Sequence, residues 1–205
     1  TLGRKISVAL IGGAFDPIHP GHFKIAEYLL NETGLFDEAW FVPCYMHLYG
    51  KKMAPAHLRL EMCRGYANQD NRIKVCDYEI VNKLRGETYY FLNNFLNEDF
   101  AKNKFRFSYV IGMTNANIFN KWMNFEYLKN IIPFIVVHRQ GEKRNKKIDW
   151  YLKEPHKFFD TGKKVPLLSS TYIREMLRTT NREAFFKKPY NKDVADIIKS
   201  NSLYI

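Results

Sequence analysis

Cysteine is scarce in this chain of 205 residues: Cys44, Cys63 and Cys76 are odd in number, widely spaced and without a Cys-x-x-Cys pair. That excludes a disulfide framework and a recognisable thiolate metal site, so they read as reduced thiols. Long apolar runs are missing too. The longest candidate, residues 131–137, is interrupted by Pro133 and is only strand-sized, so no bilayer-crossing helix and no membrane partner are expected. The first residues do not follow a signal-peptide pattern, because a short apolar run ends in glycines and an Asp-Pro turn; a cytoplasmic location is the expectation.

Acidic residues are also outnumbered, 21 against 32 Lys and Arg, for a formal net charge of +11. Such a balance raises nucleic-acid binding. The excess, however, comes from 21 Lys beside only 11 Arg and with 17 Asn, which reads as a compositional bias and not a focused patch. The one dense basic run, Lys143-Arg144-Asn145-Lys146-Lys147, follows Gly141 and reads as a solvated loop. A small anionic substrate suits the same charge, and no nucleic-acid partner is expected.

What is present is a hydrophobic fraction of 46% with 16 Phe, 13 Tyr and 3 Trp, enough for a substantial core. Length and the lack of a linker predict one domain over residues 1–205. Apolar runs alternate with helix-period stretches, the pattern of βα units around a parallel sheet. Strands are predicted at 6–11, 39–42, 107–111, 132–137 and, short, at 165–168. Helices are predicted after Pro20 as far as Gly34, at 57–67, at 89–96, from Ser169 onward through Ile173, Met176 and Leu177, and around Val194, Ile197 and Ile198. The expectation is a Rossmann-like, doubly wound α/β fold with about five parallel strands. Ligands bind at the carboxyl edge of such sheets, where three of these runs end in glycine or polar residues.

The first such edge is Gly12-Gly13-Ala14-Phe15-Asp16-Pro17-Ile18-His19-Pro20-Gly21-His22. The two glycines let backbone approach a ligand, and Pro20 suits the first turn of a helix. His19 and His22 then fall about one turn apart beside a helix N-terminus, where N–H groups attract anions. Two imidazoles there can donate to phosphate oxygens and neutralise developing charge. Half of a zinc site, with Cys44 and His47 downstream, is the alternative. A second edge, Ser169-Ser170-Thr171-Tyr172-Ile173-Arg174, offers a serine cap, at Ser169 or Ser170, and an arginine fork one turn on.

Together these segments resemble the nucleotidyltransferase superfamily that carries a His-x-Gly-His element and a Ser-Ser-Thr-x-x-Arg element. Ile111-Gly112-Met113-Thr114 with Phe119 and Trp122 further resembles the bacterial-type nicotinate mononucleotide adenylyltransferases. The resemblance implies transfer of AMP from ATP to nicotinate mononucleotide, with pyrophosphate released and Mg²⁺ held through the ATP phosphates. It implies that His19, His22 and Arg174 are catalytic. Gly12, Gly13, Ala14, Phe15, Gly112, Arg139, Ser169, Ser170 and Thr171 would join them around ATP. Asp16, Lys51, Lys52, Thr88, Tyr89 and Trp122 would hold the pyridine mononucleotide, Trp122 by stacking on its ring. A homo-oligomer is left open.

Three positions depart from the family pattern. Ala14 stands where a Thr or Ser is usual, Thr114 where an Asp is usual, and Tyr90 where a Thr follows the Tyr. At Ala14 a phosphate contact must therefore come from backbone. Rival readings are a nicotinamide or dual-specificity enzyme, the phosphopantetheine adenylyltransferase, and a basic nucleic-acid or membrane-surface binder with a decayed nucleotide site.

Overall fold

Strand β1, Ile6–Gly13, shows why the sheet is covered on both faces. Its Ala9 and Ile11 belong to one buried cluster and its Val8 and Leu10 to the other, as the two-residue period of a strand requires. The computed structural model describes residues 3–179, 182–188 and 190–205. Strands β2 (Glu38–Pro43), β3 (Ile73–Val75), β4 (Phe105–Gly112), β5 (Phe134–His138) and β6 (Lys157–Asp160) complete one sheet of order β3-β2-β1-β4-β5-β6. All five pairings are parallel. This is the doubly wound arrangement expected, with six strands where about five were predicted.

The two extra strands are the short outer ones. Ile-Lys-Val at β3 carries a charge between its apolar residues and Lys-Phe-Phe-Asp at β6 carries charge on either side of only two, so neither makes a long apolar run. The strand expected at 165–168 does not form. Pro166 has no N–H to give a ladder, and the Leu168 N–H bonds the Pro166 carbonyl at 3.0 Å, closing a local turn instead.

Helices α1 (Pro20–Glu32), α2 (Ala56–Ala67), α8 (Ser170–Arg178), α9 (Arg182–Phe186) and α10 (Lys192–Ser200) contribute to the first cluster. The second cluster lies against the other face. It takes residues from α4 (Thr88–Phe95), α5 (Asp99–Lys104), α6 (Met113–Asn117) and α7 (Phe125–Ile131), and Tyr78 of α3 (Tyr78–Val81) packs against it.

The chain runs outward from β1 through β2 to β3, then returns to place β4 on the other side of β1. That reversal opens a crevice beyond the carboxyl ends of β1 and β4, the switch point where doubly wound sheets bind ligands.

Candidate active site

The crevice is a cavity of about 910 Å³, within the size of ligand sites. Gly12, Gly13 and Ala14 from the end of β1, Gly112 from β4 and Val137 from β5 form part of its wall. The histidines of the first motif line it as well, and their geometry is specific. His19 is the N-cap of α1, its Nδ1 accepting the Gly21 N–H at 3.1 Å. His22, at the third helical position, accepts the His19 N–H on its own Nδ1 at 3.2 Å. The pair is a capping box built from two imidazoles.

The rings stack, with centroids 3.7 Å apart and planes 28° from parallel. The edge of the Phe15 ring meets His22 at 4.8 Å. Gly21 is required by this packing, since a Cβ there would lie 2.8 Å from the His19 ring.

Burial, then the Arg139 cation, pushes the His19 imidazole down to about 3. His22 is held well below its ordinary value by burial, by His19 and by Arg139. Both rings are therefore neutral near pH 7. Since each Nδ1 accepts a main-chain N–H, each ring carries its proton on Nε2. The site thus presents two neutral Nε2–H donors, suited to the hydrogen-bonding role read from the sequence.

The second motif meets the first through side chains. Ser169 is the N-cap of α8, accepting the Tyr172 N–H at 3.1 Å, so the cap is Ser169 and not Ser170. The Ser170 hydroxyl donates to the Pro17 carbonyl at 2.8 Å, and Ser169 and Ser170 both reach the cavity wall. Arg174 is buried behind it. Its Nη1 donates to the Asp16 carbonyl at 2.8 Å and its Nη2 to the Thr171 hydroxyl at 3.1 Å.

Asp16 is buried as well. Its carboxylate accepts the Ala54 N–H at 3.1 Å and the Tyr204 hydroxyl at 2.7 Å, and lies 4.0 Å from Arg174. Asp16, Arg174 and Thr171 thus form a tie behind the wall and not part of its surface. Phe15 also sits behind it, with its ring in the core and its backbone in the left-handed region at φ 47°. Burial of the ring offsets the roughly 1–2 kcal/mol that conformation costs a non-glycine residue.

Around the rest of the cavity, Arg139 donates to the Leu168 carbonyl at 3.0 Å and to Glu142 at 2.7 Å while lining the wall near the histidines. Thr88, which opens α4, Tyr89 and half-buried Trp122 line it too. Trp122 lies tilted against Phe119 at 5.2 Å. Lys51 and Lys52 are exposed on the β2–α2 loop, off the wall. Among the described residues, no three His, Cys, Asp or Glu side chains come together to hold a metal ion, so the zinc alternative has no complete ligand set. No helix of the described residues is long and apolar enough to cross a membrane.

Residues 10–176 match the cytidylyltransferase-like family, a span that includes both motifs. The chain belongs to the cytidylyltransferase-like family. Among its relatives is a protein of Nitratiruptor sp. named "Probable nicotinate-nucleotide adenylyltransferase". It is 33% identical over 145 residues, covering 69% of this chain and 78% of the relative. A Clostridium acetobutylicum protein of the same name is 30% identical over 206 residues, covering 96% and 98%. A Plasmodium falciparum nicotinic acid mononucleotide adenylyltransferase complexed with NaAD superposes with a TM-score of 0.71 at 21% identity, over 98% of both chains. The same enzyme complexed with APC gives 0.68 at 20% identity, over 97% of both. At those identities the two structures speak for the fold.

Within this family fold, three residues that sequence reasoning passed over also shape the site. Arg59, on α2, is 1% exposed and donates to the carbonyls of Ala54, Ala14, Cys44 and Tyr45 at 2.7–3.1 Å, pinning the loop after β2 to the glycine motif. Tyr109, on β4, fills the space beside Gly12, where a Cβ would stand 1.9 Å from its hydroxyl. Gly12 is therefore small for Tyr109 and not only for a ligand. Glu79, on α3, is 5% exposed and lines the cavity. An arginine, a tyrosine and a glutamate in amphipathic stretches carry no distinguishing sequence signal; only packing separates them from ordinary helix and strand residues.

Proposed function

We propose that this chain catalyses the reaction of ATP with nicotinate mononucleotide to give nicotinate adenine dinucleotide and pyrophosphate. The observation that carries it is the pair of stacked, neutral, Nε2–H histidines at the N-terminus of α1, lining a cavity at the switch point of the sheet. The names of the relatives, and the NaAD and APC complexes of the related fold, support the choice of substrates.

In this reading a phosphate oxygen of the mononucleotide attacks the α-phosphorus of ATP in line. The bond from that phosphorus to the bridging oxygen breaks, and pyrophosphate leaves with its electron pair. No covalent enzyme intermediate forms, so the protein positions reactants and stabilises charge. His19 and His22 donate Nε2–H to the phosphate oxygens on which charge accumulates. The N–H groups at the start of α8 add donors, and the Ser170 hydroxyl, donated to the Pro17 carbonyl, ties that helix start to the first motif. Arg174, from behind the wall, adds its positive charge to the triphosphate end of the site, and Arg139 supplies positive charge along the same edge. Trp122 stacks on the pyridine ring, Thr88 and Tyr89 border it, and Lys51 and Lys52 approach the phosphates when their loop folds inward.

Mg²⁺, which shields the leaving group when bound, would be held through the ATP phosphates. The buried Asp16 carboxylate, already committed to Ala54 and Tyr204, fits that assignment. Pyrophosphate release is measured with ATP plus nicotinate mononucleotide, nicotinamide mononucleotide or phosphopantetheine. Release is expected with the nicotinate compound above all others. Release with phosphopantetheine alone, or with ATP irrespective of acceptor, would overturn the reading.

A further inference from the structure

Glu79 is a buried carboxyl in the wall of the substrate cavity with no hydrogen-bond partner among the described residues. Such a group costs stability unless something satisfies it. Its surroundings come from four elements: Arg59 on α2, Cys44 after β2, Cys76 after β3 and Tyr109 on β4. Arg59 makes no hydrogen bond to it; four of its five N–H donors go to backbone carbonyls. The same cavity wall includes the N-terminus of α4, which has no side-chain cap, with Thr88 beside Tyr109. Two features that call for a ligand therefore face one part of the cavity. One is a helix start without a side-chain cap, and the other is a carboxyl that opens on the cavity without a hydrogen-bond partner among the described residues.

We propose that Glu79 is a specificity-determining residue that reads the carboxylate of the nicotinate ring, donating its own proton to it. The inference rests on the proposed reaction and assigns to it a group that the family motifs leave out. The helix start supplies N–H donors to one carboxylate oxygen, and the protonated Glu79 supplies an O–H to the other. Two carboxyl groups at such range share one proton, since both cannot ionise in a dry pocket. Nicotinamide places a neutral amide there, which accepts from protonated Glu79 and donates to ionised Glu79. Only the carboxylate substrate needs the proton.

The environment supports this protonation. Burial pushes the Glu79 carboxyl up to about 8, against the opposing pull of Arg59. The neighbouring thiols are displaced out of the working range by burial, Cys44 to about 11 and Cys76 to about 12, and burial raises the Tyr109 hydroxyl as well. His19 and His22 lie far below neutrality. Of these groups, the carboxyl of Glu79 is the one that changes charge between pH 7 and pH 9.

The test is kcat/KM for nicotinate and nicotinamide mononucleotides from pH 7 to pH 9, for wild type and for Glu79→Gln. The glutamine keeps a neutral donor and removes the titration. In wild type the ratio of the two substrates should fall roughly tenfold over that span, because kcat/KM follows the free enzyme's titration. In the variant the ratio should stay flat, with nicotinate still used at pH 9. A flat wild-type ratio, or the same fall in the variant, would overturn the proposal, and the wild-type arm decides even if the variant folds poorly. Should nicotinamide mononucleotide be turned over too slowly to measure, the nicotinate profile alone decides by the same comparison. Absence of turnover with either mononucleotide at every pH would instead refute the underlying reaction.

Discussion

His22→Ala separates catalysis from folding because the ring does two jobs whose sizes differ. In folding, Nδ1 accepts the His19 N–H at 3.2 Å, and the ring packs on His19 and Phe15. Losing the cap bond costs about 1 kcal/mol, and the lost packing adds about as much again. A domain of ordinary stability, about 5–15 kcal/mol, then keeps at least about 3 kcal/mol and stays more than about 99% folded at 25 °C. In catalysis, removal of one preorganised donor to the phosphate lowers kcat by about 10²–10³. The variant should therefore melt only about 4–8 °C lower while losing nearly all activity under saturating substrates.

His22→Asn sharpens the result, because its Oδ1 sits where Nδ1 sat and can take the His19 N–H, yet no donor reaches the Nε2 position. It should recover most of the melting temperature and none of the kcat. The assay is steady-state pyrophosphate release beside a thermal melt. A kcat within about threefold of wild type in either variant, or recovery of kcat together with melting in His22→Asn, would refute the donor role.

Three further outcomes follow from the same geometry. The His19 ring is depressed from 6.5 to about 3 in the folded chain, so the unfolded chain takes up protons first as pH falls. Stability is full above about pH 6.5 and declines below it, by up to about 1.4 kcal/mol per pH unit. Denaturant midpoints at pH 7, 5.5 and 4.5 should fall less steeply for His19→Asn, which keeps the cap, and equal slopes would count against the neutral ring. Arg59→Met strands four backbone carbonyls, at a cost of about 3–5 kcal/mol. Its melting temperature should drop by roughly 6–20 °C, and a drop of a degree or two would show that the buried guanidinium is dispensable. Trp122→Ala removes ring stacking worth about 1–3 kcal/mol. It should raise KM for the mononucleotide tenfold or more with little change for ATP, and an equal rise in both would assign Trp122 another role.

The parts of this fold legible in the sequence are those with a strong local signature. A continuous apolar run into Gly12-Gly13 marks a central strand, Pro20 and the 25, 26, 29, 30 spacing mark α1, and the serines before Tyr172 mark the start of α8. The short strands β3 and β6 escaped because three or four residues with charges among or beside them gain their identity from the neighbour they pair with. Residues 165–168 misled because one buried Val165 beside Leu167 and Leu168 mimics an apolar run, while Pro166 forbids the ladder.

In the site, the histidine pair could be read from spacing, but not that each ring uses Nδ1 on backbone and so fixes its own tautomer. Arg174 and Asp16 were readable as motif members. Their mutual tie across more than 150 positions was not, because it is a tertiary contact between side chain and main chain. Glu79 had no signal at all: next to Tyr78 and Ile80 it looks like the polar side of any short helix, and only the closing of α3 over the cavity buries it.

The most direct test of the account is the protonation and tautomer of His19 and His22, read from ¹⁵N chemical shifts of the ring nitrogens with and without a non-hydrolysable ATP analogue. Both rings should be neutral with hydrogen on Nε2 from pH 8 down to pH 5, and both Nε2 resonances should move when the analogue and Mg²⁺ bind. A ring that titrates near pH 6.5, or Nε2 signals indifferent to the analogue, would contradict the claim that these imidazoles are neutral donors to the triphosphate.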